Sequence, residues 1–226
     1  MQTLDRIVYS EAEAARLLGM PASTLHYWLE GGTRRGKFYA PVIRVEPKGT
    51  RDVTWAEFVE AGLLRQYRRE SGVPMSELRE VITKLRGTLG VPYPLAHEQP
   101  FVGEGRQLVR ELQDDVGLAP EYCLVAIVRD QLILTSASQS FVDRVVWRDG
   151  IAAGWRPHEP ASPVEVEPLM RFGRPHVAGI STEVLWEHDA DGESLDEIAE
   201  AFGLDLHQVQ WALAYENGRR ATRLTA

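Results

Sequence analysis

Two short runs near the N-terminus repeat apolar residues with the period of an α-helix. Their apolar faces consist of Ala14, Leu17 and Leu18 in the first run and of Leu25, Trp28 and Leu29 in the second. Ser10 and Glu13 have the spacing of a capping box, which starts the first helix, while Gly19 and Pro21 suit the end of one helix and the start of the next. The pattern predicts a helix-turn-helix, in which the second helix enters a DNA major groove.

The polar side of the second predicted helix supplies the candidate base-reading residues. They are Ser23, Thr24, His26 and Tyr27, with Glu30 beside them. These positions lie away from the apolar face, because residues three and four apart share a face of a helix. An ordinary helical hairpin with a polar outer face is the alternative interpretation of the same pattern.

The stretch that follows favours the DNA-binding interpretation. Residues 30–51 hold six Lys and Arg against two Glu, a local excess of +4 in a protein whose net charge is -8. Apolar residues alternate there with glycines, which predicts a two-stranded hairpin, or wing. We expect Arg34, Arg35 and Lys37 of this wing to contact DNA phosphates.

The middle of the chain predicts further helices and a small sheet. Thr54 and Glu57 repeat the capping-box pattern before one or more helices, in which Gly62 is a candidate break. Helical periodicity also marks residues 76–86 and 107–114, and β-branched runs mark strands at 122–127 and 131–135. Prolines cluster in residues 154–163, which we interpret as a connection.

A second helix-turn-helix is predicted near the C-terminus. Ser194 and Glu197 form another capping box, Gly203 ends that helix, and a further helix is expected over residues 205–217. Acidic residues dominate this pair, so a phosphate lattice would repel it. We therefore expect this module to bind a protein partner, with Trp211 and Tyr215 as anchors; core packing of both aromatics is the alternative.

Composition narrows the function classes. Residues 1–90 carry a net charge of +3 and residues 91–226 a net charge of -11, the distribution expected of a DNA-binding end on an acidic body. The single Cys123 fits a reducing cytoplasm, and we expect neither a membrane span nor a signal peptide. The six histidines show no metal-ligand spacing and no catalytic motif is present, so we expect no enzyme, no metal and no cofactor.

Two parts of the chain resemble known families. Residues 9–19 with 23–28 resemble the winged N-terminal domain of MerR-like transcriptional regulators. The segment after Phe172 resembles a small domain of unknown mechanism found in VapB-type antitoxins. The matching residues of that segment are Gly173, Arg174, Pro175, Val177, Ala178, Gly179, Thr182, Gly192, Glu193, Ser194, Glu197, Ile198, Val209, Ala212, Leu213, Ala214 and Tyr215.

These resemblances imply a homodimeric antitoxin that binds operator DNA and neutralises a VapC-like PIN-domain ribonuclease. The basic tail residues Arg219, Arg220 and Arg223 then become candidates for pairing with the carboxylates of such a nuclease. A MerR-like regulator with an effector pocket lined by Tyr93, Phe101 and Trp147 is one alternative. A protein-interaction scaffold that does not bind DNA is another.

The predicted architecture is α+β. We expect a winged helix-turn-helix over residues 1–72, a small central α/β segment over 73–160, and a C-terminal helix-turn-helix module preceded by short strands over 161–226.

Overall fold

The computed structural model describes residues 3–128 and 131–224 and confirms the α+β class. The chain divides into two compact units, Met1–Ala152 and Ala153–Ala226. The predicted central segment therefore shares a unit with the predicted winged domain as far as residue 152.

The described residues form helices and short antiparallel strand pairs. The helices are α1 (Glu11–Leu18), α2 (Ala22–Glu30), α3 (Trp55–Ser71), α4 (Met75–Leu89), α5 (Gly103–Val116), α6 (Ser136–Val142), α7 (Thr182–Ala190), α8 (Leu195–Phe202) and α9 (Leu206–Leu224). The strands are β1 (Ile7–Ser10), β2 (Gly32–Arg34), β3 (Lys37–Tyr39), β4 (Asp52–Thr54), β5 (Val125–Val128), β6 (Gln131–Leu134), β7 (Val145–Arg148), β8 (Ile151–Trp155), β9 (His176–Val177) and β10 (Ile180–Ser181).

Each sheet has two strands. β1 pairs with β4, β2 with β3, β5 with β6, β7 with β8, and β9 with β10. The first of these pairs joins residues that lie far apart in sequence, since Tyr9 stands opposite Val53. This pair closes the winged helix-turn-helix and sets the direction in which α3 begins.

Helix α3 is the central element of the first unit. Its side chains Trp55, Phe58, Leu63 and Tyr67 are almost completely buried, and it packs against both α1 and α6. The predicted break at Gly62 is wrong, because the helix runs through it. A β-carbon there would lie 3.2 Å from Phe141 and 3.3 Å from Leu18, so glycine allows three helices to approach closely.

The remaining helices and strands of this unit extend the predicted pattern. Helix α4 contains the predicted stretch 76–86, and α5 is longer at both ends than the predicted 107–114. The fully buried side chain of Gln113 accepts bonds from the amides of Leu124 and Val125 and donates to the Val125 carbonyl. This amide group therefore ties α5 to the start of the hairpin formed by β5 and β6.

The second unit is a small three-helix module with a short hairpin at its start. Its core is built from Val164, Val177, Leu185, Ile198, Val209, Ala212, Leu213 and Tyr215. The helix-turn-helix of α8 and α9 is confirmed, with both halves of the Ser194 and Glu197 capping box present and Gly203 in the left-handed conformation. Helix α9 extends to Leu224, beyond the predicted end at residue 217, and α7 was not predicted.

No helix among the described residues combines the length and apolar character that a membrane span requires. The side chain of Cys123 is buried, and its thiol donates to the Ala119 carbonyl over 3.7 Å.

Candidate nucleic-acid interface

The turn between α1 and α2 has the geometry that the sequence predicts. Gly19 adopts a left-handed conformation, and its amide donates to the carbonyls of Ala15 and Arg16. Pro21 follows in an extended conformation directly before α2. On α2, Leu25, Trp28 and Leu29 are buried, which turns the other side of this helix outward.

The four predicted base-reading residues differ in exposure. Ser23 is exposed in the first turn of α2, whereas Thr24, His26 and Tyr27 are half-buried. The structure thus brings all four together on one short helix. Only Ser23 extends fully from the surface.

His26 also has a structural partner. Its Nδ1 lies 2.9 Å from Oε1 of Glu11, whose carboxylate is almost completely buried. The other carboxylate oxygen of Glu11 accepts a bond of 2.6 Å from Arg51, and its backbone amide donates to the Arg51 carbonyl. Glu11 therefore joins α1, α2 and the approach to β4, and it fixes the orientation of the His26 ring.

The predicted wing forms, although it is shorter than the basic stretch. β2 and β3 pair across a two-residue turn in which both Arg35 and Gly36 have positive φ, at 51° and 75°. Such turns match the twist of a hairpin and favour glycine or asparagine, so Arg35 carries a backbone strain of about 1 kcal/mol. Arg35 and Lys37 are exposed at the tip, and the side chain of Arg34 lies outside the described residues.

Three of the six Lys and Arg residues in the basic stretch 30–51 form hydrogen bonds or ion pairs within the protein. Arg44 is buried between Glu57, at 2.8 Å, and Glu30, and it also donates to the Asp52 carbonyl. Lys48 lies 2.8 Å from Glu57, and Arg51 contacts Glu11. The local excess of positive charge is therefore a poor measure of the charge that the wing can offer to DNA.

The buried part of this network has strongly shifted ionisation. Burial alone would raise the pKa of Glu57, but bonds from Arg44, Lys48 and the Thr54 amide lower it to about 2. Tyr93 donates to the same carboxylate over 3.0 Å. This network anchors the segment after the wing to the start of α3.

A basic face on α3 was not predicted. Arg65, Arg68 and Arg69 lie three and four residues apart on this helix and line a shallow groove next to Pro21 and Thr24. The available signal was their helical spacing, which the count of charge in residues 30–51 did not include.

Most of the predicted partner-binding residues of the second unit already make contacts within the protein. Tyr215 is 4% exposed and belongs to the core, whereas Trp211 is half-buried and donates from its indole to His207. Arg219 bonds to Glu216 over 3.0 Å, and the guanidinium of Arg220 lies 3.5 Å from the centre of the Trp186 ring. The side chain of Arg223 lies outside the described residues.

An exposed apolar loop of the second unit was also not predicted. Leu169, Met170 and Phe172 are exposed, Phe172 at 78%. Arg171, Phe172 and Gly173 all have positive φ, and Arg171 donates to the Gly179 carbonyl over 2.7 Å. A strained backbone thus holds Phe172 toward solvent.

The two units also differ in charge. No Lys or Arg occurs from Pro175 to Gly218, a range that includes the exposed carboxylates of Asp196, Glu200 and Asp205. The described residues contain no group of His, Cys, Asp and Glu side chains placed to hold a metal ion.

Comparison with known proteins places this architecture in a family. Residues 164–215 match the family model described as "Protein of unknown function (DUF433)", which agrees with the predicted C-terminal domain of unknown mechanism. The crystal structure of Rv2018 from Mycobacterium tuberculosis has the same fold, with a TM-score of 0.75, 22% identity, and coverage of 94% of this chain and 100% of that one. The uncharacterized protein Rv2308 of Mycobacterium tuberculosis is 32% identical over 237 residues, covering 99% of this chain and 95% of its own length. The chain therefore belongs to the same family as Rv2308.

Proposed function

We propose that this protein is a DNA-binding antitoxin of a type II toxin–antitoxin system, which represses its own operon. The observation that carries the DNA-binding part is the exposed side of α2 next to a wing whose Arg35 and Lys37 extend into solvent. A reading helix beside a basic ribbon supplies base contacts and phosphate contacts from one surface. The resemblance of residues 9–19 and 23–28 to the winged domain of MerR-like regulators supports the same proposal.

The DNA-binding part is tested by titrating duplex DNA from the upstream region at several salt concentrations. The informative variant is Arg35→Ala with Lys37→Ala, and the matched control is Lys84→Ala with Arg148→Ala, which removes the same charge elsewhere in the first unit. We expect the wing variant to bind all sequences more weakly, with a salt slope that is smaller by about one to two. Wild-type affinity in the wing variant would exclude the wing as a DNA contact.

The same proposal makes the protein a homodimer on its operator. Two reading helices then meet successive major grooves, so the site should be an inverted repeat with half-sites about one helical turn or a multiple apart. Footprinting together with light scattering of the complex tests this arrangement. Protection of a single half-site by a monomer would contradict it.

The toxin-binding part rests on the resemblance of the second unit to the VapB-associated domain. Its expected partner is a VapC-like PIN-domain ribonuclease, for which the first candidate is the product of an adjacent gene. Co-expression and co-purification, followed by an RNase assay of the complex, test this part. The absence of any complex or inhibition would leave a DNA-binding regulator without an antitoxin role.

The tail arginines are still candidates for the toxin contact, but deletion of residues 218–226 is a poor test. Arg219 and Arg220 stabilise the second unit through Glu216 and Trp186, so the truncated protein would lose stability as well as charge. The single change Arg223→Ala should weaken inhibition, and thermal melting of this variant measures any accompanying loss of stability. The variant Arg220→Ala should lower both inhibition and the melting temperature.

One observation favours the effector-binding alternative. Tyr93 and His97 line a cleft of the first unit together with Asp5 and Asp149. Phe101 is buried in the core, where its ring packs against Trp147 with centroids 5.9 Å apart. Neither of these two rings lines the cleft, although the alternative expects both to line an effector pocket. Screening small molecules for a shift in melting temperature that Tyr93→Phe or His97→Ala abolishes would test this alternative.

A further inference from the structure

The basic face of α3 lies beside the first turn of the reading helix. Arg65 donates from Nε and Nη2 to the carbonyl of Gly19, over 3.2 Å and 3.0 Å. Arg68 and Arg69 are exposed on the following turn. The groove that these arginines form with the helix-turn-helix is lined by Gly19, Met20, Pro21, Thr24, Trp28, Arg65, Arg68 and Arg69. We call it the α3 groove.

The positive charge of the α3 groove has no counter-charge among its lining residues. None of them is acidic, and within the described part of the chain Arg65, Arg68 and Arg69 form no ion pair; the side chain of the adjacent Glu70 is outside that part. Burial and the charge of Arg69 both lower the pKa of Arg65. Cations held this close repel one another, and an anion between them would relieve that repulsion.

The position of the α3 groove relative to the wing indicates which anion it binds. Helix α2 has 9 residues, and its length is about 13 Å at the rise of an α-helix. The α3 groove lies at its first turn, whereas the wing leaves its last turn at Gly32. The two basic sites therefore lie at opposite ends of α2. Because a B-DNA major groove is about 12 Å wide, we expect phosphates from its two edges to face these two ends.

We propose that the α3 groove binds a phosphate group of the DNA backbone at the first turn of α2, opposite the strand that the wing contacts. This inference rests on the proposed DNA-binding function and adds a second phosphate site to it. Bidentate guanidinium groups suit a phosphodiester, and the Thr24 hydroxyl lies in the same groove as a further donor. Free inorganic phosphate has the same chemistry, so the test must distinguish the two sources.

The test compares two double variants. The groove variant carries both Arg68→Ala and Arg69→Ala, and the charge-matched control carries both Lys84→Ala and Arg148→Ala. Arg65 is left unchanged, because its bonds to Gly19 support the turn between α1 and α2. Duplex affinity is measured by fluorescence anisotropy at several salt concentrations for the wild type and both variants. Thermal melting of each variant verifies that it is folded. A parallel titration with inorganic phosphate follows backbone amide shifts around Thr24.

If the inference is correct, the groove variant binds duplex at least tenfold more weakly than the control, and its salt slope is smaller by about one to two. The loss should be similar for specific and unrelated duplexes, since phosphate contacts do not read bases.

Wild-type affinity in the groove variant, while the wing variant is weakened, would overturn the groove inference and leave the proposed function intact. Absence of duplex binding by the wild type would overturn both. Shifts around Thr24 with inorganic phosphate in a protein that does not bind duplex would assign the groove to a free anion instead.

Discussion

His26 and Glu11 join the two helices of the predicted DNA-binding motif through a bond of 2.9 Å between Nδ1 and Oε1. Glu11 is the first residue of α1 and is almost completely buried, while His26 is on the middle turn of α2. One of the predicted base-reading residues therefore also determines how α2 is oriented. A single substitution of His26 would change this orientation as well as any DNA contact expected under the proposed function.

The change Glu11→Ala should destabilise the first unit. It removes the acceptor for both His26 and Arg51 in a buried position, and we expect a loss of about 1–3 kcal/mol in the free energy of unfolding. Urea denaturation followed by circular dichroism measures this loss. The exposed Glu80 on α4 provides the control Glu80→Ala, which should change stability by less than about 0.5 kcal/mol. Equal effects of the two changes would contradict the role of Glu11.

Removing Arg44 should be among the most damaging single changes in the first unit. Arg44→Met leaves the buried carboxylate of Glu57 without its main partner, at an expected cost of about 3–5 kcal/mol. Glu30 loses its bond from Arg44 and keeps those from the amides of Lys48 and Gly49. Combining it with Glu57→Gln removes the buried carboxylate charge, which Lys48 alone would otherwise have to balance. The double variant should therefore unfold at a higher urea concentration than Arg44→Met alone, and a lower midpoint would show that the network is not held by charge pairing.

Glu60 should make the stability of the protein depend on pH. Burial raises its pKa to about 8, and the nearby charge of Glu57 adds to this effect. The charge of Arg86, 3.7 Å away, and the bond from the Leu95 amide lower the pKa by less than burial raises it. The raised pKa means that the stability contributed by protonated Glu60 is complete below its usual value of 4.5 and is lost as pH rises through about 8.

The variant Glu60→Gln tests this dependence, because an amide keeps an acceptor for the amide of Leu95 but cannot ionise. Its melting temperature relative to that of the wild type should rise between pH 5 and pH 9. Parallel curves across this range would show that the pKa of Glu60 is not raised in the folded protein.

Two glycines within helices should respond oppositely to the same substitution. Gly62→Ala places a methyl group 3.2 Å from Phe141 and 3.3 Å from Leu18, and we expect it to lower stability by about 1–3 kcal/mol. Gly87→Ala meets no atom within 4 Å, so only helix propensity changes, and stability should rise by about 0.5–1 kcal/mol. Thermal melting of both variants provides the comparison, and a gain of stability from Gly62→Ala would contradict the close packing of α3.

Local signals in the sequence were sufficient for three of the helix starts. The capping boxes at Ser10, Thr54 and Ser194 all form with both hydrogen bonds in place, since each depends on residues only three apart. Helix α7 was missed because Val184, Leu185 and Trp186 are consecutive, so no helical period is visible. Its position depends on the core around Leu185, to which α8 and α9 contribute.

The candidate site was predictable only in part, because charge counts do not show where side chains go. Arg44 and Arg35 each add one positive charge to the count over residues 30–51. Arg44 is nevertheless buried against Glu57, whereas Arg35 is exposed at the wing tip. The partners of Arg44 lie 13 and 14 residues away along the chain, and only the folded structure brings them together. The arginines of α3 were missed because the charge count ended at residue 51, although their helical spacing is visible in the sequence.

The run from Pro175 to Gly218 without Lys or Arg has a practical consequence for mapping the second unit. Trypsin cannot cut within this run, folded or unfolded, so digestion leaves α7, α8 and most of α9 in one long peptide. The whole unit also lacks lysine, since the chain's lysines are Lys37, Lys48 and Lys84. Amine-directed cross-linkers would therefore report contacts of the first unit only. A partner bound to the second unit would become visible through carboxylate-directed reagents or a protease that cuts at acidic residues.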